Sequence, residues 1–209
     1  VAAADGGAPL DALARAAADW DRLEGRLTPD GRDRLAACLT EFRAAGPGTA
    51  RRTAAAASAL RLLGGEAGPE GSRLAGAPPA PPGFTAEDLA VLVLDGHRMV
   101  GPVLGAVRDR LLAAPAVPAT GPADPYDARL IRLRGAGGLV TLPAFQFRSP
   151  PDAWPSVLTV NEVLDAARDP WGAADWWLSP NAWLGTAPAS LLGGDRDGEL
   201  PAVAGHVLA

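Results

Sequence analysis

The side chains with most to offer chemically are aromatic, and they are crowded together. Seven of the chain's eleven aromatic residues, five of its six tryptophans among them, fall between Phe145 and Trp183. Rings of this size bring large contact area and dominate both cores and protein interfaces. Phe145 and Phe147 flank Gln146 in the stretch Pro143-Ala-Phe-Gln-Phe147. If that stretch is extended, one ring can face a core and the other a partner, with an amide between them able to donate and accept. Trp176 and Trp177 are adjacent in a helical stretch and project about 100° apart. One can anchor the fold while the other marks a surface; the alternative is that all four rings are core.

Groups that could act as acids, bases, nucleophiles or metal ligands are scattered. The single cysteine, Cys38, excludes an internal disulfide and a cysteine-based zinc cluster. His97 and His206 stand far apart in the sequence, so a two-histidine metal site would need carboxylates to complete it. The glycine-rich run from Arg134 to Gly138 lies between two strand-like segments and so lacks the helix terminus that holds phosphate. His97 has no nucleophile beside it, and Asp195, Asp197 and Glu199 lack the remaining ligands of a calcium loop. These observations predict a protein that is not an enzyme and carries no cofactor and no metal.

Composition narrows the class further. All nineteen basic residues are arginine, Asn and Gln together number three, and the net charge is −5. Arginine without lysine points to a GC-rich bacterial genome. Acidic and basic residues are interleaved, and the nearest thing to a basic stripe is Arg129, Arg132 and Arg134, which argues against obligate nucleic-acid binding. No run approaches the ~20 apolar residues of a membrane span, and the first residues lack a basic signal-peptide start. The expectation is a cytoplasmic protein with no membrane partner.

The elements that must position the aromatic run read as mainly α with one β-hairpin. Residues 1–64 predict a helical bundle: one helix over 9–27, a second opened by Thr28-Pro29 and ending near Ala45, and a third over 54–63 closed by Gly64-Gly65. Residues 65–83, rich in Pro and Gly, read as a linker. Residues 84–114 read as a helical hairpin with a capping box at Thr85 and Asp88, outlining a degenerate helix-turn-helix with Arg108 and Arg110 as its phosphate partners. Residues 115–127 read as a second linker. In 128–209, runs over 129–133 and 139–142 predict the hairpin. A helix to Arg168 follows, then three proline-started helices opened by Asp169-Pro170, Ser179-Pro180 and Thr186 with Pro188, and a last helix over 198–207.

Over residues 128–208 this order, with Pro143 to Phe147, then Trp176-Trp177-Leu178, Pro180-Asn181, Leu184, Pro188 and Leu191-Leu192, resembles the C-terminal toxin-binding domain of the MbcA/ParS/Xre antitoxins. Those proteins neutralise RES-domain toxins that consume NAD, covering the entrance to the toxin's active site. The resemblance implies a non-enzymatic, antitoxin-like binding protein whose partner is a RES-type toxin. It implies a partner surface made of Phe145, Gln146, Phe147, Trp176, Trp177, Asn181, Leu184, Leu191 and Leu192. Two other readings stand beside it. One is an adaptor or structural component of a larger bacterial assembly, with the N-terminal bundle forming a homo-oligomer. The other is a transcriptional regulator that binds DNA through residues 84–114.

Overall fold

The computed structural model describes residues 7–74, 81–120 and 126–207. The chain is mainly helical with a small antiparallel sheet. It divides into two compact units, Val1–Ala106 and Val107–Ala209.

The first unit is helical. α1 (Gly7–Ala18) and α2 (Trp20–Leu23) are followed by α3 (Pro29–Ala44), α4 (Ala50–Glu66), α5 (Gly68–Arg73) and α6 (Ala86–Ala90). The starts are set by local chemistry. Thr28 Oγ1 accepts from Gly31 N at 3.0 Å with Pro29 in the first helical turn. Thr49 caps α4 in the same way. Thr85 and Asp88 close a reciprocal box, at 2.9 Å for Thr85 N to Asp88 Oδ2 and 3.2 Å for Asp88 N to Thr85 Oγ1. Leu13, Leu35, Leu39, Phe42, Leu63 and Leu89 are fully buried together, and Ala16, Ala56 and Ala59 let the helices approach closely.

Two expectations for this unit are corrected. Gly64-Gly65 does not end a helix: α4 runs on to Glu66, carried by burial of Leu63 and Ala67 on its inner face. The cap glycine is Gly68, left-handed at φ 60°. Part of the 65–83 segment read as a linker is α5, laid against α4 so closely that a Cβ on Gly71 would sit 1.9 Å from the Leu63 carbonyl oxygen. Residues 75–80 of that segment lie outside the described residues.

Nor does 84–114 form a unit of its own. α6 passes into a π-helical turn, Val91–Asp95, closed by Gly96 at φ 70°. Leu89, Ala90 and Leu92 belong to the first core, whereas Leu111, on α7 (Gly101–Ala113), belongs to the core of the second unit. A helix-turn-helix needs its two helices to share one core, and these two do not.

A partly buried ion cluster ties α3, α4, α6 and the π-turn together. Arg43 holds Asp95 with two bonds of 2.9 Å and donates from Nε to Glu87 at 3.0 Å. Arg52 donates to the other oxygen of Glu87 at 3.0 Å and stacks over the Phe42 ring at 3.8 Å. Burial alone would lower the Arg43 pKa; the hydrogen bonds and charges of Asp95 and then Glu87 outweigh it and raise it.

The second unit carries the sheet. β1 (Ala116–Pro118), β2 (Leu133–Arg134) and β3 (Val140–Pro143) form an antiparallel sheet with β3 in the middle, pairing Val117 with Leu142 and Leu133 with Thr141. β1 lies inside the segment read as a second linker, of which residues 121–125 fall outside the described residues. β4 (Phe147–Ser149) and β5 (Asp152–Ala153) make a second small ribbon. α8 (Pro155–Val163), α9 (Pro170–Leu178) and α10 (Leu200–Val207) complete the unit around Ile131, Val157, Val160, Ala174, Trp177 and Leu200. Asp169 caps α9 through Gly172 N at 2.9 Å, as its Asp-Pro signature predicts. Pro188–Leu191 forms a 3-10 turn. Ser179-Pro180 opens no helix: Asn181 and Thr186 bridge a tight turn instead.

Candidate protein-binding site

The stretch read as extended at Phe145 is a 3-10 turn, Ala144–Gln146, so Phe145 and Phe147 do not alternate across a strand. The turn aims Gln146 inward, where it is 0% exposed. Its amide replaces a missing strand. Oε1 accepts from Ile131 N at 2.7 Å, while Nε2 donates to Ile131 O at 3.1 Å and Pro143 O at 3.3 Å. One side chain thus satisfies both backbone groups of a residue just before β2, a segment that would otherwise bury them unpaired.

Asn161 of α8 extends the network. Its Nδ2 donates to Arg129 O at 2.8 Å and to Gln146 Oε1 at 3.3 Å, and its Oδ1 accepts from Trp177 Nε1 at 2.8 Å. Trp177 is 0% exposed, with Phe145 tilted against it at 5.3 Å and Trp176 edge-on at 5.1 Å. The paired tryptophans divide as their angle requires: Trp177 is core and Trp176 half-buried. The indole nitrogen of Trp176 is buried without a hydrogen-bond partner, a cost of about 1–3 kcal/mol by itself.

Four residues expected on a partner surface are therefore core. Gln146, Phe147, Trp177 and Leu184 are all buried, and no partner reaches them without rearrangement of the unit. Phe145, Trp176, Asn181, Leu191 and Leu192 are half-buried. Asn181 is committed to its own turn: Oδ1 accepts from Trp183 N at 2.9 Å and Leu184 N at 3.3 Å, and its backbone N–H reaches Thr186 O at 3.0 Å. The arginines assigned to DNA are also engaged. Arg110 bridges to Asp175 and to Ser179 Oγ at the C-terminal end of α9, and Arg108 donates to Asp109 at 2.9 Å.

The turn presents a residue missing from the expected surface. Trp183 is 64% exposed, whereas its neighbour Leu184 is buried and the Leu184 carbonyl accepts from Arg196 Nη1 at 3.0 Å. Its ring meets His206 of α10 at 6.1 Å. A bare indole on a turn pinned from three sides is a ready anchor for a partner. Its place beside Asn181, a residue type suited to tight turns, was the available signal.

Below β2, Arg129 grips the Asp127 carboxylate at 2.7 and 3.0 Å, and Arg132 holds the Asp127 carbonyl at 2.8 Å. The Arg129 side chain holds the Asp127 carboxyl below its ordinary value; burial opposes it, and the Arg129 backbone N–H adds a smaller lowering. A depressed carboxyl stabilises fully above its unfolded pKa of about 4 and loses that contribution as the pH falls through the folded value. Asp127→Asn is therefore expected to flatten the fall of stability below about pH 4 in an acid titration followed by circular dichroism. An unchanged acid limb would count against it.

In the first unit a surface groove of about 390 Å³ is lined by Ala37, Cys38, Glu41, Arg51, Ala54, Ala55 and Ser58. Among the described residues no group of three or more His, Cys, Asp or Glu side chains could hold a metal, and no helix is long and apolar enough to cross a membrane. No known family model, curated protein or solved structure matches the chain.

Proposed function

We propose that residues 128–209, within the second unit, form an antitoxin-like protein-binding module that neutralises a RES-type, NAD-consuming toxin in the cytoplasm, without enzymatic activity of its own. The observation that carries this reading is Trp183, an exposed ring on a turn whose neighbours are all fixed. The residues that resemble the antitoxin domain support it by forming one body: Gln146 and Trp177 meet through Asn161, and the turn after Pro180 springs from the same core. The buried members of that set act as scaffold, and contact falls to Trp183 with the half-buried Leu191 and Leu192.

The reading expects a RES-domain toxin encoded beside this protein's gene. NAD consumption by that purified toxin is expected to stop at an equimolar amount of this protein. Trp183→Ala is expected to weaken the inhibition at least tenfold, in line with the ~2 kcal/mol or more carried by an interface anchor. Unchanged NAD consumption with the wild-type protein, or a gene neighbourhood without such a toxin, removes the proposal.

A further inference from the structure

An acidic segment is fastened to the turn that displays Trp183. From residue 180 onward the sequence holds three carboxylates, Asp195, Asp197 and Glu199, against a single arginine, Arg196. That arginine is used locally: it clasps Glu199 at 2.9–3.2 Å and reaches back to the Leu184 carbonyl at 3.0 Å. The clasp fixes the acidic turn against the turn that displays Trp183. It also neutralises Glu199, so Asp195, which is exposed, and Asp197, whose Oδ1 is buried without a hydrogen-bond partner, leave uncancelled negative charge there.

From this we infer that the Trp183 face is a receptor for an arginine-bearing segment of a partner protein, with the guanidinium stacked on the indole and bonded to the Asp195–Asp197 turn. A flat guanidinium suits the face of a tryptophan better than any other side-chain cation, because it stacks on the ring while its edge N–H groups remain free for carboxylates. Lysine offers a point charge without the stacking plane, so it binds the same face more weakly. An acidic partner is excluded by like charge, which makes the face selective as well as sticky. The inference rests on residues 128–209 being a partner-binding module, and it adds the chemistry of the partner.

The test uses the full chain and a defined probe rather than a toxin, so it can fail separately from the neutralisation reading. The ¹⁵N-labelled protein displays its indole N–H signals, with that of Trp183 assigned by its loss in Trp183→Phe. Titration with acetylated, amidated tetra-arginine is expected to shift the Trp183 indole and the His206 ring signals saturably. Tetra-lysine should act at least threefold more weakly, and tetra-glutamate not at all. The Asp195→Asn/Asp197→Asn double variant should weaken tetra-arginine at least fivefold, while its other indole signals stay in place and so report an intact fold. The inference is overturned by an unmoved Trp183 signal, by an equal response to tetra-glutamate, or by binding indifferent to the two aspartates.

Discussion

Asn161→Ala is expected to destabilise residues 107–209 by about 2–4 kcal/mol, a large share of the ~5–15 kcal/mol that holds a typical domain together. The side chain makes three hydrogen bonds to three different parts of the chain: the carbonyl before β2, Gln146 and the Trp177 indole. Removal leaves the Trp177 N–H fully buried with no acceptor, which costs more than the bond itself contributes. Urea unfolding followed by tryptophan fluorescence reads this unit directly, since five of the six tryptophans lie in it. The midpoint should fall with the slope unchanged. Gln146→Ala should cost a similar amount, and the double variant less than the sum, because each loss already frees the other's partners. Asn161→Asp is the sharper variant. It keeps the acceptor for Trp177 but turns a buried carboxylate toward the acceptors at Arg129 O and Gln146 Oε1. Burial and those acceptors raise its pKa, so the folded state holds the proton more tightly than the unfolded state and stability should recover as the pH falls toward the ordinary aspartate value of about 4. A loss under about 1 kcal/mol for Asn161→Ala would mean that the network is not what joins α8, α9 and the sheet.

What could be read in the sequence was local. The caps at Thr28 and Asp169 and the box at Thr85 and Asp88 each involve groups three residues apart, so their chemistry is written in adjacent letters. The Gln146–Asn161–Trp177 network joins groups 15 and 16 residues apart, and nothing in either neighbourhood names the other end. Yet a trace of it was visible. The chain contains three amide side chains in all, Gln146, Asn161 and Asn181. The structure uses the first two in the buried network and the third in the turn that holds Trp183 outward. The number of rings in the aromatic run was plain from sequence; which ring faces water was not. Trp177 and Trp183 stand in equally apolar surroundings, and their fates are decided by α9 for one and by the Asn181 turn for the other. The same limit explains β1 and α5. Both lie in Pro- or Gly-rich segments with poor intrinsic preference, and long-range pairing with β3 and burial against α4 form them anyway.

The first unit should be most sensitive at Arg43. Arg43→Ala is expected to destabilise it by about 3–5 kcal/mol, the usual cost of removing one partner of a buried ion pair. The asymmetry of exposure sets the size of the effect. The Asp95 side chain is 2% exposed and accepts two bonds of 2.9 Å from Arg43. Without that guanidinium the buried carboxylate loses its bidentate partner, whereas the more exposed Glu87 keeps Arg52. Thermal unfolding of the variant should shift down by more than about 10 °C. The ion pair itself is not the source of stability, since desolvating two charges nearly cancels their attraction. Arg43→Met combined with Asp95→Leu, which removes both charges and fills the space, should therefore restore most of what Arg43→Ala loses. Arg98 gives the contrast: it also pairs with two carboxylates, Asp21 and Glu24, but on the surface, where salt screens the charges and the long side chain loses freedom by being held. Arg98→Ala should leave the unfolding temperature almost unchanged. If the two alanine variants unfold at the same temperature, burial of Asp95 is not what gives the Arg43 cluster its weight.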